Sequence, residues 1–143
     1  MAGSSEQTRC DVTEQGAIDP TVWADLLESV GGDGEFIAEL LEIYFDDSPR
    51  LLATMQDAVS VGNAEDLRRA AHSLKSSSAS FGATRLSEKC KEVEDMGKAG
   101  ALEGAAERVG QITAEYHEAR AALEAIQRVF QHGEHPWPHS GGG

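Results

Sequence analysis

Residues 67–83 read LRRAAHSLKSSSASFGA. At about 100° per residue, this stretch divides cleanly on a helix. Leu67, Ala70, Ala71, Leu74, Ser77, Ser78 and Phe81 fall on one face, and Arg68, Arg69, His72, Lys75, Ser76 and Ala79 on the other. The first face is apolar or small, so it must be buried and can lie close to its neighbours. The second carries a histidine pointing almost directly away from Leu74. Gly82 breaks the helix.

Working outward, the same period recurs on both sides. Asp19-Pro20 reads as a helix start, with Asp as N-cap and Pro at the first helical position. Val22, Trp23, Leu26, Leu27 and Val30 follow as one stripe, which Gly31-Gly32 stops. Asp33 can cap the next helix, along which Phe36, Ile37, Leu40, Leu41, Tyr44, Leu51, Leu52, Met55 and Val59 recur at three or four residues. Pro49 lies inside it and should kink or split it, because it lacks an N–H and crowds the preceding turn. Beyond Gly82, Leu86, Cys90, Val93 and Gly97 form another register. Leu102, Ala105, Val109, Ile112, Tyr116, Ala119, Leu123, Ile126 and Phe130 then step by three and four. They predict a last helix, the longest, roughly 40 Å long and weakened at Gly104 and Gly110.

Four amphipathic helices with short connections predict an all-α fold, an antiparallel four-helix bundle with a short N-terminal capping helix. Residues 19–130 form the bundle in this reading. Residues 1–18 read as a flexible leader and 131–143 as a flexible tail, because neither has periodic apolar residues.

Composition narrows the function. Of 143 residues, 25 are Asp or Glu and 12 are Lys or Arg, a net charge of −13. Such a surface repels phosphate backbones and anionic lipid, which argues against nucleic acid and membrane surfaces as partners. No apolar run approaches the roughly 20 residues of a membrane span, and the first 16 residues contain no signal-peptide core. The two cysteines cannot staple the domain and do not have metal-binding spacing; Cys90 reads as a core filler, and a cytoplasmic location follows. No Gly-rich phosphate loop is present, which argues against an ATP-binding enzyme.

The polar face around His72 departs from this acidity. Arg68, Arg69 and Lys75 all lie within one turn of His72, and neighbours three or four residues apart lie side by side on a helix. An ordinary imidazole is largely neutral at pH 7, nearby cations favour that form, and its nitrogen is a competent nucleophile toward phosphorus. A lysine beside it can pair with the phosphoryl oxygens. The alternative is a solvated charged face with no chemistry. The other histidines carry less: His117 lies off the apolar seam, and His132, His135 and His139 have no preset geometry for a metal. Asp46-Asp47 and Glu92, Glu94 and Asp95 read as a solubilising surface.

The run His72-Ser73-Leu74-Lys75-Ser76-Ser77-Ser78-Ala79-Ser80-Phe81-Gly82-Ala83 resembles the signature of histidine-containing phosphotransfer (HPt) domains. Asp33-Gly34-Glu35-Phe36, Leu40-Leu41 and Pro49 resemble the helix that precedes it in that family. The resemblance covers roughly residues 18–130. It implies that His72 accepts a phosphoryl group from a receiver-domain aspartate and passes it to another receiver. It also implies that Lys75 stabilises the phosphoryl group. Beside these, Ser76 is expected to shape the local surface, and Arg68 and Arg69 to help with the charge. Many members have Gly where Ser76 stands, which bears on partner geometry. The chain would then be a monomeric carrier rather than an enzyme, without a cofactor of its own. Magnesium would belong to the receiver, and the partners would be the receivers of a hybrid sensor kinase and of a response regulator. Two rival readings are a non-phosphorylated helical adaptor and the phosphoacceptor module of a larger histidine kinase.

Overall fold

The structure, a computed structural model, describes residues 18–131. The described residues form five helices: α1 Pro20–Ser29, α2 Gly34–Val61, α3 Ala64–Ser80, α4 Thr84–Ala99 and α5 Ala105–Gln131. Each of α2, α3 and α4 packs on its successor, and α5 closes back onto α2. The connections are short, so consecutive helices run antiparallel and enclose one core. The histidines of the tail, His132, His135 and His139, lie outside the described residues.

The helix starts carry the side chains that satisfy their free N–H groups. Asp19 accepts from Thr21 N at 2.9 Å, Asp33 from Phe36 N at 3.1 Å and Asn63 from Asp66 N at 3.1 Å. Pro49 does not split α2, which runs 28 residues and is one residue longer than α5. Pro49 itself is exposed. The apolar stripe runs on past it from Tyr44 to Leu52 and Met55, which anchors both halves of the helix in the same core. Beside it the buried Ser48 hydroxyl donates to the Tyr44 carbonyl at 2.6 Å.

The last helix begins at Ala105 rather than Leu102, because Gly104 lies just before it with φ +82° and serves as a turn. Leu102 still packs against the core from the connection. The N-terminal boundary also moves. Ile18, the last residue of the expected leader, is fully buried.

The capping role expected of α1 is held by Trp23. Its ring is fully buried, lies 5.9 Å from the Phe130 ring and 6.1 Å from the Phe81 ring, and its indole N–H donates to the Phe81 carbonyl at 2.7 Å. Asp19 N donates to the Gly82 carbonyl at 2.8 Å. Gly82 has φ +77°, and a Cβ there would meet the Asp19 carbonyl at 2.9 Å, so two separate constraints favour glycine. The end of the histidine helix is thereby fixed to the cap.

Candidate functional site

The facing of α3 follows the sequence period. Leu67, Ala70, Ala71, Leu74 and Ser78 are buried, whereas 55% of the His72 side chain is exposed. Leu74 locks the rod from behind, and the Ser78 hydroxyl shares a 2.9 Å hydrogen bond with the buried Tyr44 hydroxyl of α2. On the other side the Ser87 hydroxyl of α4 donates to the Lys75 carbonyl at 3.1 Å. The histidine therefore stands on a helix held from two sides.

Its orientation is set by a residue that the sequence reading assigned to a solubilising surface. Glu94 on α4 is 3% exposed. Its Oε2 lies 2.9 Å from His72 Nδ1, and its Oε1 lies 2.7 Å from Lys75 Nζ as an ion pair. The Lys75 ammonium holds the Glu94 carboxyl down to about 2, against burial that pushes it up, with the hydrogen bond from His72 adding to the lowering. Glu94 is thus a carboxylate at neutral pH and only accepts hydrogen bonds. The proton on Nδ1 points to it, which leaves Nε2 as the nitrogen with a free lone pair. Glu92, two residues earlier, is exposed as expected and pairs with Arg108 at 2.6 Å.

A glycine makes this approach achievable. A Cβ on Gly97, in α4, would come within 2.9 Å of the Ala64 carbonyl, of Arg68 N and of Arg68 Cβ. The backbones of α3 and α4 therefore touch here, one turn from Glu94. The linear signal for Glu94 was its register. Leu86, Cys90, Val93, Glu94 and Gly97 are the buried residues of α4, so Glu94 lies within the apolar stripe. The run Glu92 to Asp95 hid that, because acidic runs are usually solvated.

The expected cationic island is differently arranged. Arg68 and Arg69 both turn back to Glu65, with Arg68 Nε 3.2 Å from Oε1 and Arg69 Nε 3.4 Å from Oε2. Their guanidinium groups pair there and not with the imidazole. Lys75, expected to be exposed, is half-buried. Ser76 is exposed, and the Ser80 hydroxyl donates to its carbonyl at 3.1 Å. Its own hydroxyl makes no hydrogen bond to His72. His117 is exposed beside Tyr116. The described residues hold no cluster of three or more metal-ligating side chains, and none of their helices is long and apolar enough to cross a membrane.

The Hpt domain family matches residues 39–128. The chain belongs to the Hpt family. Among curated relatives, histidine-containing phosphotransfer protein 2 of Arabidopsis thaliana is 28% identical over 96 residues, 65% of this chain. The match spans 62% of that relative's length. Histidine-containing phosphotransfer protein 4 of the same plant is 31% identical over 98 residues, 67% of this chain and 77% of its own. Among solved structures, histidine-containing phosphotransfer protein B (HptB) from Pseudomonas aeruginosa PAO1 superposes with a TM-score of 0.72 at 29% identity. It covers 78% of this chain and 95% of that one. The Hpt match includes His72, Lys75 and Glu94.

Proposed function

We propose that this Hpt protein is a phosphoryl carrier in a two-component phosphorelay, with His72 as the phosphoacceptor. The observation that carries this reading is the exposed imidazole whose Nδ1 is tied to buried Glu94. The Nε2 lone pair attacks the phosphorus of an aspartyl phosphate on a receiver domain. The N–P bond forms as the P–O bond to the aspartyl carboxylate breaks, and that oxygen keeps the electron pair. The Nδ1 proton stays in place. The ring becomes a cation as it bonds to phosphorus, and Glu94 stabilises that charge. Attack by a second receiver's aspartate on the phosphohistidine reverses these changes.

Lys75 contributes positive charge to the phosphoryl group from its position on Glu94. Ser73, adjacent to His72, lines a cleft of about 560 Å³ between α2 and α3, together with Leu40, Ile43, Ser77 and Phe81. Ile43 is 60% exposed there. In this reading the cleft is the surface on which the receiver sits. Phosphoryl transfer needs positioning and charge neutralisation more than covalent machinery. The receiver supplies its own aspartate and magnesium, and the hybrid sensor kinase and response regulator supply the receivers. The carrier works as a cytoplasmic monomer with no ATP site of its own.

The test is phosphoryl uptake from a radiolabelled, phosphorylated receiver. The wild-type chain should acquire acid-labile, base-stable label, and His72→Gln should acquire none while keeping its thermal midpoint. Equal labelling of the two proteins would falsify the assignment.

A further inference from the structure

The cleft between α2 and α3 has two unlike walls. α2 carries six carboxylates and one cation, Arg50. α3 and α4 together carry six carboxylates and seven cations. The pairing is as uneven as the charge. Around the histidine helix charges are matched within the bundle: Glu65 takes Arg68 and Arg69, and Glu94 takes Lys75 and Lys98. No ion pair among the described residues includes a side chain of α2.

Two of these unused charges stand at the cleft itself. Asp47 and Arg50 line it beside Leu40, Ile43 and Leu51, and Ser73 on the other wall is next in sequence to His72. Both are exposed. They lie three residues apart on one helix, a spacing at which opposite charges can pair, yet they stay apart. A partner that covers Ile43, which is 60% exposed, also covers Asp47. Covering a carboxylate is costly unless the partner brings a counter-charge. The cleft therefore accepts one pattern of partner charge and penalises the others.

We propose that Asp47 and Arg50 select the receiver. The receiver they fit lays an apolar surface on Leu40, Ile43 and Leu51, with a basic side chain opposite Asp47 and an acidic one opposite Arg50. This rests on His72 being the phosphoacceptor and on the cleft being the docking surface. The same polarity orients the partner. Its basic edge lies over α2, while its anionic aspartyl phosphate faces α3, where the cations stand. Partner choice is thus made on α2, apart from the groups that meet the phosphoryl oxygens.

The test uses the full chain as wild type, Asp47→Lys and Arg50→Glu, with the phosphorylated receiver that transfers fastest to wild type as donor. Phosphoramidate, a small phosphoryl donor that needs no docking surface, labels His72 separately, and each receiver rate is taken relative to it. In both variants the receiver concentration at half-maximal rate should rise roughly 3- to 10-fold at low ionic strength. The rise should shrink in high salt, as a packing defect would not. A half-maximal concentration that stays at the wild-type value in either variant, or a rise that salt leaves unchanged, overturns this proposal alone. A wild-type chain that no phosphorylated receiver labels on His72 overturns the carrier reading, and this proposal with it.

Discussion

Glu94 decides how His72 is used. A carboxylate held at about 2 accepts the hydrogen bond from Nδ1 throughout the neutral range and directs reactivity to Nε2. Glu94→Gln keeps an acceptor but removes the charge that balances the imidazolium. It should slow phosphoryl uptake roughly tenfold, read by rapid-quench labelling. The same substitution should change acid stability. Because the folded carboxyl lies below its ordinary value of 4.5, the stability it contributes is fully present above that pH. It is lost as the pH falls toward about 2. Urea midpoints of wild type should therefore drop faster than those of Glu94→Gln between pH 5 and 2. Lys75 also changes character once its surroundings are known. An exposed lysine would leave stability untouched when removed, but this one neutralises a buried carboxylate. Lys75→Ala should slow transfer and also cost about 1–3 kcal/mol, seen as a lower thermal midpoint.

At the scale of elements, the contact between α3 and α4 determines the site. Gly97→Ala would drive a methyl group into the α3 backbone at Ala64 and Arg68. Relieving that overlap must move α4 outward and carry Glu94 with it. The expected cost is about 1–3 kcal/mol, with a loss of transfer rate larger than that of a stability-matched change elsewhere in the core. Leu74→Ala serves as that reference, with a loss of about 2–5 kcal/mol for a fully buried truncation. Chemical denaturation of both variants, with transfer assayed well below their transitions, separates positioning from folding. The facing of Leu74 and His72 was legible because a helix of fixed period permits one assignment. The continuity of α2 was not. Pro49 signals a break locally, and only the common core beneath Tyr44 and Leu52 keeps the two halves in one helix.

At the scale of the molecule, one core cluster runs from Ile18 to Phe130 and draws on every helix. α1 adds Trp23 to it and, through Phe81 and Gly82, clamps the end of the histidine helix. Unfolding should accordingly be a single transition, with far-ultraviolet circular dichroism and tryptophan fluorescence coinciding in urea. Trp23→Phe would leave the buried Phe81 carbonyl without its indole donor and should lower stability by about 1–3 kcal/mol. A separate early phase in fluorescence alone would mean that α1 docks independently of the bundle.

The sequence by itself determined the all-helical class, the caps at Asp19 and Asp33, the buried face of α3 and the exposure of His72. Each of these depends on residues a few positions apart, which the helical period relates directly. Only the tertiary structure decided that Glu94 is buried, that Arg68 and Arg69 turn to Glu65, and that Lys98 reaches the same carboxylate as the histidine. The Glu94 contacts join α3 to α4 across a gap closed by Gly97, and how near two helices come is fixed by packing rather than by spacing along the chain. The arginines' choice of Glu65 lies within one helix, but side-chain competition, which periodicity does not encode, settles it.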